Sequence, residues 1–82
     1  MWTVYIVRCG DGSLYCGITN DLPARLAAHQ AGKGAKYTRG RGPLEVVFTR
    51  RTRTKERALR LEHAIKSLPR QEKLARAPRL RI

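Results

Sequence analysis

The chain has 82 residues, 41% of them apolar, and carries 18 Lys and Arg against 6 Asp and Glu, a formal net charge of +12. Residues 1–82 therefore read as one domain with a core of at most two layers, too apolar to be a disordered chain. Self-repulsion at this charge calls for a polyanionic partner, with nucleic acid ahead of an anionic membrane surface.

Trp2 to Cys9 reads as a first strand, with Trp2, Val4 and Ile6 on one face and Thr3, Tyr5 and Val7 on the other. Ser13 to Thr19 is the second strand, joined to it by an Asp11-Gly12 hairpin signal. Asn20 or Asp21 then caps a helix that holds Pro23 in its first turn and runs to about Ala31, where Gly32 stops it. Gly32 to Gly42 reads as an exposed basic loop, and Leu44 to Thr49 as a third strand. Thr54 caps a second helix, Lys55 to Leu68, with an apolar stripe of Ala58, Leu61, Ile65 and Leu68 that Pro69 ends. Gln71 to Ala75 adds a short third helix. The fold class is α/β in composition, more strictly α+β: a small three-stranded antiparallel sheet flanked by helices, in the order β-β-α-β-α-α.

No uninterrupted apolar run has transmembrane length, and the first residues lack the charged start and apolar stretch of a signal peptide. A cytoplasmic protein is the expectation. A hairpin allows Cys9 and Cys16 to face each other, but a reducing compartment makes them core thiols, and no further ligand pair has zinc spacing.

Register decides whether Tyr5 and Tyr15 act together. A three-residue loop, Gly10 to Gly12, sets Cys9 opposite Ser13, Tyr5 opposite Gly17 and Tyr15 opposite Val7, with both hydroxyls on one face. A two-residue Asp11-Gly12 turn would put them on opposite faces. The longer loop is the expectation, with Gly17 leaving an open floor where a phosphate or ring approaches the backbone.

Arg25 and His29, four apart on the first helix, share a face. As chemistry, Arg25 holds a phosphate in its planar fork and His29 supplies or relays a proton; otherwise His29 is a surface residue. Glu62 sits mid-helix beside the apolar stripe among cations. It either pairs with Lys66 one turn on or holds a divalent metal with water and phosphate oxygens completing the shell.

In this order these residues resemble the GIY-YIG nuclease family across nearly the whole chain. Val4-Tyr5-Ile6 stands at the first triplet and Tyr15-Cys16-Gly17 at the second, with Val4 in place of glycine and Cys16 in the middle. Arg25 stands at the family's helical arginine, His29 at the basic position after it, and Glu62 at the metal-binding glutamate. Tyr37 matches a further tyrosine near the site in some members. The size and the C-terminal segment look like the stand-alone bacterial branch, whose larger relatives include homing endonucleases and an excision-repair incision subunit.

The resemblance implies a metal-dependent endonuclease acting on DNA, in repair or recombination, with one Mg²⁺ or Mn²⁺ on Glu62. It implies Tyr5 as general base with its pKa lowered by Arg25 and the metal, Tyr15 orienting water or phosphate, His29 assisting and Arg25 clamping the scissile phosphate. Candidate nucleic-acid contacts are Gly17, Lys33, Lys36, Tyr37, Arg39, Arg41 and Lys66. The rival reading is a non-catalytic nucleic-acid-binding module that keeps the fold; a basic ribosome-associated protein is a more distant one.

Overall fold

A left-handed glycine sets the register of the hairpin. The computed structural model of the chain describes residues 1–31 and 43–80. The expected basic loop, with Lys33, Lys36, Tyr37, Arg39 and Arg41, lies outside the described residues. Strands β1 (Trp2–Arg8) and β2 (Leu14–Thr19) are joined through Gly12, whose φ of +86° suits only glycine without strain. Cys9 and Ser13 close the three-residue loop through a 2.8 Å bond from the Cys9 N–H to the Ser13 carbonyl. Tyr5 pairs with Gly17 and Tyr15 with Val7, as the longer loop requires. Cys16 pairs with Ile6, so it does not face Cys9, and both are free thiols.

Helix α1 (Leu22–Gln30) starts at Asp21, whose carboxylate accepts from the Ala24 N–H, with Pro23 in the first turn where it removes no helical bond. Strand β3 (Glu45–Thr52) pairs antiparallel with β1, giving the sheet order β2-β1-β3. It runs three residues past Thr49. Arg50 and Arg51 read as the end of a strand, but an edge strand lets long cations turn outward, and Arg50 donates to the Leu80 carbonyl. A bulge at Val47, which has no partner between the pairs Ile6–Phe48 and Val7–Val46, shifts the β1–β3 register.

Helix α2 (Lys55–Lys66) begins at Thr54, whose hydroxyl accepts from the Arg57 N–H. It ends two residues before the expected Leu68, and Leu68 is only half-buried. The reason is a cap: the Lys73 ammonium donates to the carbonyls of Ile65, Lys66 and Leu68 at 3.0, 3.2 and 2.8 Å. Helix α3 (Lys73–Arg76) lies between 3₁₀ turns at Arg70–Glu72 and Ala77–Arg79.

Alternation along β1 divides the core. Val4 and Ile6, with Cys16, pack against Ala58, Leu61, Ile65 and Ala77. Tyr5 and Val7 project to the other face and are also fully buried, with α1 supplying His29 beside Tyr5. The sheet is thus covered on both faces, giving three layers where the length predicted two.

Candidate active site

Tyr5 is held by four residues, Gly17, Tyr15, Arg25 and His29. Beneath it is Gly17: a Cβ there would come within 2.7 Å of the Tyr5 hydroxyl, 2.9 Å of its ring and 3.1 Å of the Tyr15 ring. The expected open floor is therefore already filled by the two tyrosines, and glycine is required for their approach. Beside Tyr5 is Tyr15, with ring centroids 6.3 Å apart. Above it is α1, whose four-residue spacing delivers Arg25 and His29 together.

The Tyr5 hydroxyl lies 2.9 Å from His29 Nε2, and Arg25 Nε donates to the same oxygen at 3.4 Å. His29 is only 2% exposed, so it is not a surface histidine. Its ring also meets Tyr15 edge-on at 5.5 Å. Burial, and then the Arg25 charge, push the His29 pKa below its ordinary value, so the ring is neutral at pH 7. Burial raises the Tyr5 pKa, while the bond from Arg25 pulls the other way and does not win. At this buried phenol desolvation outweighs the Arg25 cation, while the expected lowering rests on Arg25 together with a bound metal. Tyr5 consequently carries its proton, with Arg25 Nε donating to its oxygen and His29 Nε2 within hydrogen-bond reach of the same hydroxyl.

Glu62 does not share this face. It belongs to α2, on the other side of the sheet, with its side chain 19% exposed and 3.4 Å from the Lys66 ammonium. Tyr5, Tyr15, Arg25 and His29 thus meet on one face of the sheet, with Glu62 across β2 from them. Burial, and next the Glu62 charge, push the Cys16 thiol up to about 12, which puts Glu62 beside β2, the edge strand that also carries Tyr15 and Gly17.

Among the described residues no three His, Cys, Asp or Glu side chains converge to hold a metal. A cation at Glu62 would take one protein carboxylate and otherwise water and phosphate oxygens, a donor set that fits Mg²⁺ or Mn²⁺. Cys16, kept protonated, offers no competing thiolate.

The sequence matches the GIY-YIG catalytic domain over residues 1–75. The chain belongs to the GIY-YIG family. Its relatives include a UPF0213 protein of Oceanobacillus iheyensis, 58% identical over 71 residues that cover 87% of this chain and 83% of the relative. A UPF0213 protein of Vibrio cholerae is 51% identical over 75 residues, covering 90% and 74%. The solution NMR structure of a UPF0213 protein from Bacillus halodurans is similar at a TM-score of 0.57 and 50% identity, covering 89% of this chain and 79% of that one.

Two departures from the GIY-YIG triplets have a physical reading. Counted from its tyrosine, the first triplet falls on Thr3-Val4-Tyr5, one residue earlier than expected, so Thr3 stands at the glycine and Val4 and Cys16 at the two isoleucines, where both point into the α2 core. Two further residues of this GIY-YIG domain escaped the sequence reading, Lys73 and Arg70. A lysine soon after a helix C-terminus is a signal for the first. Arg70, which donates to the Gly12 carbonyl and ties the C-terminal turn to the hairpin, has no local signal at all.

Proposed function

We propose that this GIY-YIG domain is a divalent-metal-dependent endonuclease that hydrolyses DNA phosphodiester bonds. One observation carries the reading: a buried, protonated Tyr5 bonded to a neutral His29 and covered by Arg25. A purely structural tyrosine needs one partner and no cation beside it. This arrangement instead supplies an acceptor for the phenol proton and a fork for a phosphate.

Tyr15 and Arg25 are the half-exposed members of the cluster, so the substrate phosphate meets these two first. Arg25 turns its fork to the phosphate, as guanidinium geometry favours, and uncovers the Tyr5 oxygen. The attacking water gives its proton to Tyr5 as the Tyr5 proton passes to His29 Nε2, leaving an imidazolium. The incoming phosphate charge offsets what Arg25 costs that imidazolium. Tyr15 orients the water. The backbone crosses the free edge of β2, with Arg25 and Tyr15 on one side and Glu62 on the other. When bound by Glu62, a Mg²⁺ or Mn²⁺ ion supplies Lewis-acid stabilisation of the charge developing on the phosphate and leaving oxygen.

The test is cleavage of labelled DNAs with Mg²⁺ or Mn²⁺ by wild type and Glu62→Gln, with binding measured in parallel. Metal-dependent products from wild type alone support the nuclease. Equal binding without cutting by either protein makes it a nucleic-acid-binding module.

A further inference from the structure

Two adjoining cavities, one against β2 and one between the hairpin turn and the C-terminal turns, share Leu14 as a common wall. The first, of about 260 Å³, begins at Tyr15 and lies against Leu14, Cys16, Lys66 and Lys73. The Lys73 ammonium is turned away onto the carbonyls of Ile65, Lys66 and Leu68, so its hydrocarbon stem is what faces the cavity. The walls are therefore mostly apolar and suit a flat, uncharged group. The second cavity, of about 340 Å³, carries Arg8 and Arg70. Arg8 pairs with Glu45 at 2.7 Å, but both side chains are largely exposed and such a pair is weak enough for a phosphate to replace. Arg70 gives one N–H to the Gly12 carbonyl and keeps its other donors.

We infer that these two cavities form a nucleotide subsite, in which one unstacked base fills the apolar cavity and its phosphate is held by Arg8 and Arg70. The inference rests on the nuclease reading and extends it to the form of the substrate. An apolar ligand alone would engage neither arginine. A nucleotide joins a π-face to an anion across one shared wall, and the +12 chain attracts it. The walls hold few groups able to read a base edge, so the subsite accepts any base. Filling it takes a nucleotide out of the stack, which costs a few kcal/mol in intact duplex and much less where the nucleotide is already unpaired. DNA with an unpaired nucleotide flanking the cut is therefore preferred.

The experiment uses wild-type protein and labelled single-stranded DNAs in which one abasic residue, or one methylphosphonate, is walked across the cut site. Single-turnover cleavage should fall roughly tenfold when the base is missing at one flanking position, the size of one lost stacking contact. It should fall comparably when the phosphate of that nucleotide is neutralised. Arg70→Gln should lose the sensitivity at the phosphate, and Leu14→Trp, which fills the cavity, the sensitivity at the base. A flat profile from a wild type that cuts overturns the subsite and leaves the nuclease standing. So does full phosphate sensitivity in Arg70→Gln. A wild type that neither binds nor cuts these DNAs or duplexes overturns the nuclease reading and the subsite with it.

Discussion

The Tyr5 hydroxyl and the Nε2 of His29 stand 2.9 Å apart across 24 positions of chain, and both residues are buried. Two elements must be placed independently for that bond to form: the hairpin, through the turn at Gly12, and α1, through its cap at Asp21. Removing the acceptor leaves a buried phenol. His29→Ala should cost about 1–3 kcal/mol, the penalty of an unpaired buried donor, and should lower cleavage at least a hundredfold, on the order expected for losing a proton acceptor. Chemical denaturation and single-turnover kinetics of the same variant check both.

The pH dependence follows from the direction of the His29 shift. Its folded pKa is lowered, so the unfolded chain binds a proton more readily than the folded one. The stability from keeping His29 neutral is complete above the ordinary histidine pKa of about 6.5 and is lost as pH falls through the lower folded value. Unfolding free energy should therefore decline below about pH 6.5 in wild type and be flatter there in His29→Ala. The acid limb of the cleavage profile should lie below the same point, because the acceptor stays neutral until then.

Gly17→Ala tests the floor of the cluster. The new methyl would meet Tyr5 oxygen at 2.7 Å, closer than carbon tolerates, so Tyr5 must shift off His29. Overpacking of this kind costs about 1–3 kcal/mol. Cleavage should fall further than stability alone explains, which a comparison of folded fraction with rate resolves.

Much of this was legible in the chain. The constant register sum from a three-residue loop placed Tyr5 on Gly17, and four-residue helical spacing paired Arg25 with His29, because both are local geometry. The burial of His29, the third layer and the position of Glu62 behind the sheet were not legible. They depend on which face of the sheet each helix covers, and the sequence between α1 and β3 carries no periodicity that chooses. The weight of burial on the Tyr5 pKa was hidden for the same reason: its neighbours could be named, but its burial could not.

Lys73→Met keeps the hydrocarbon stem and removes the ammonium that caps α2. Loss of charged hydrogen bonds to the three carbonyls should cost about 1.5–3 kcal/mol and fray the helix end that carries Lys66. Amide exchange at the end of α2 reads this directly, with little change expected in β1.

Glu62→Gln should abolish metal-dependent cleavage and keep the fold. The ion pair it breaks with Lys66 is an i,i+4 pair worth only about 0.3–0.5 kcal/mol. DNA affinity measured without metal should match wild type or rise slightly, since one negative charge is gone.

The most direct test of the Tyr5–His29 proton path is single-turnover cleavage by Tyr5→Phe, which loses one oxygen and keeps the ring that Gly17 accommodates. The rate should drop about a hundredfold or more, the usual scale for removing a group that acts in the transition state, with DNA binding retained. A wild-type rate in a folded Tyr5→Phe would contradict the path and remove Tyr5 from the chemistry.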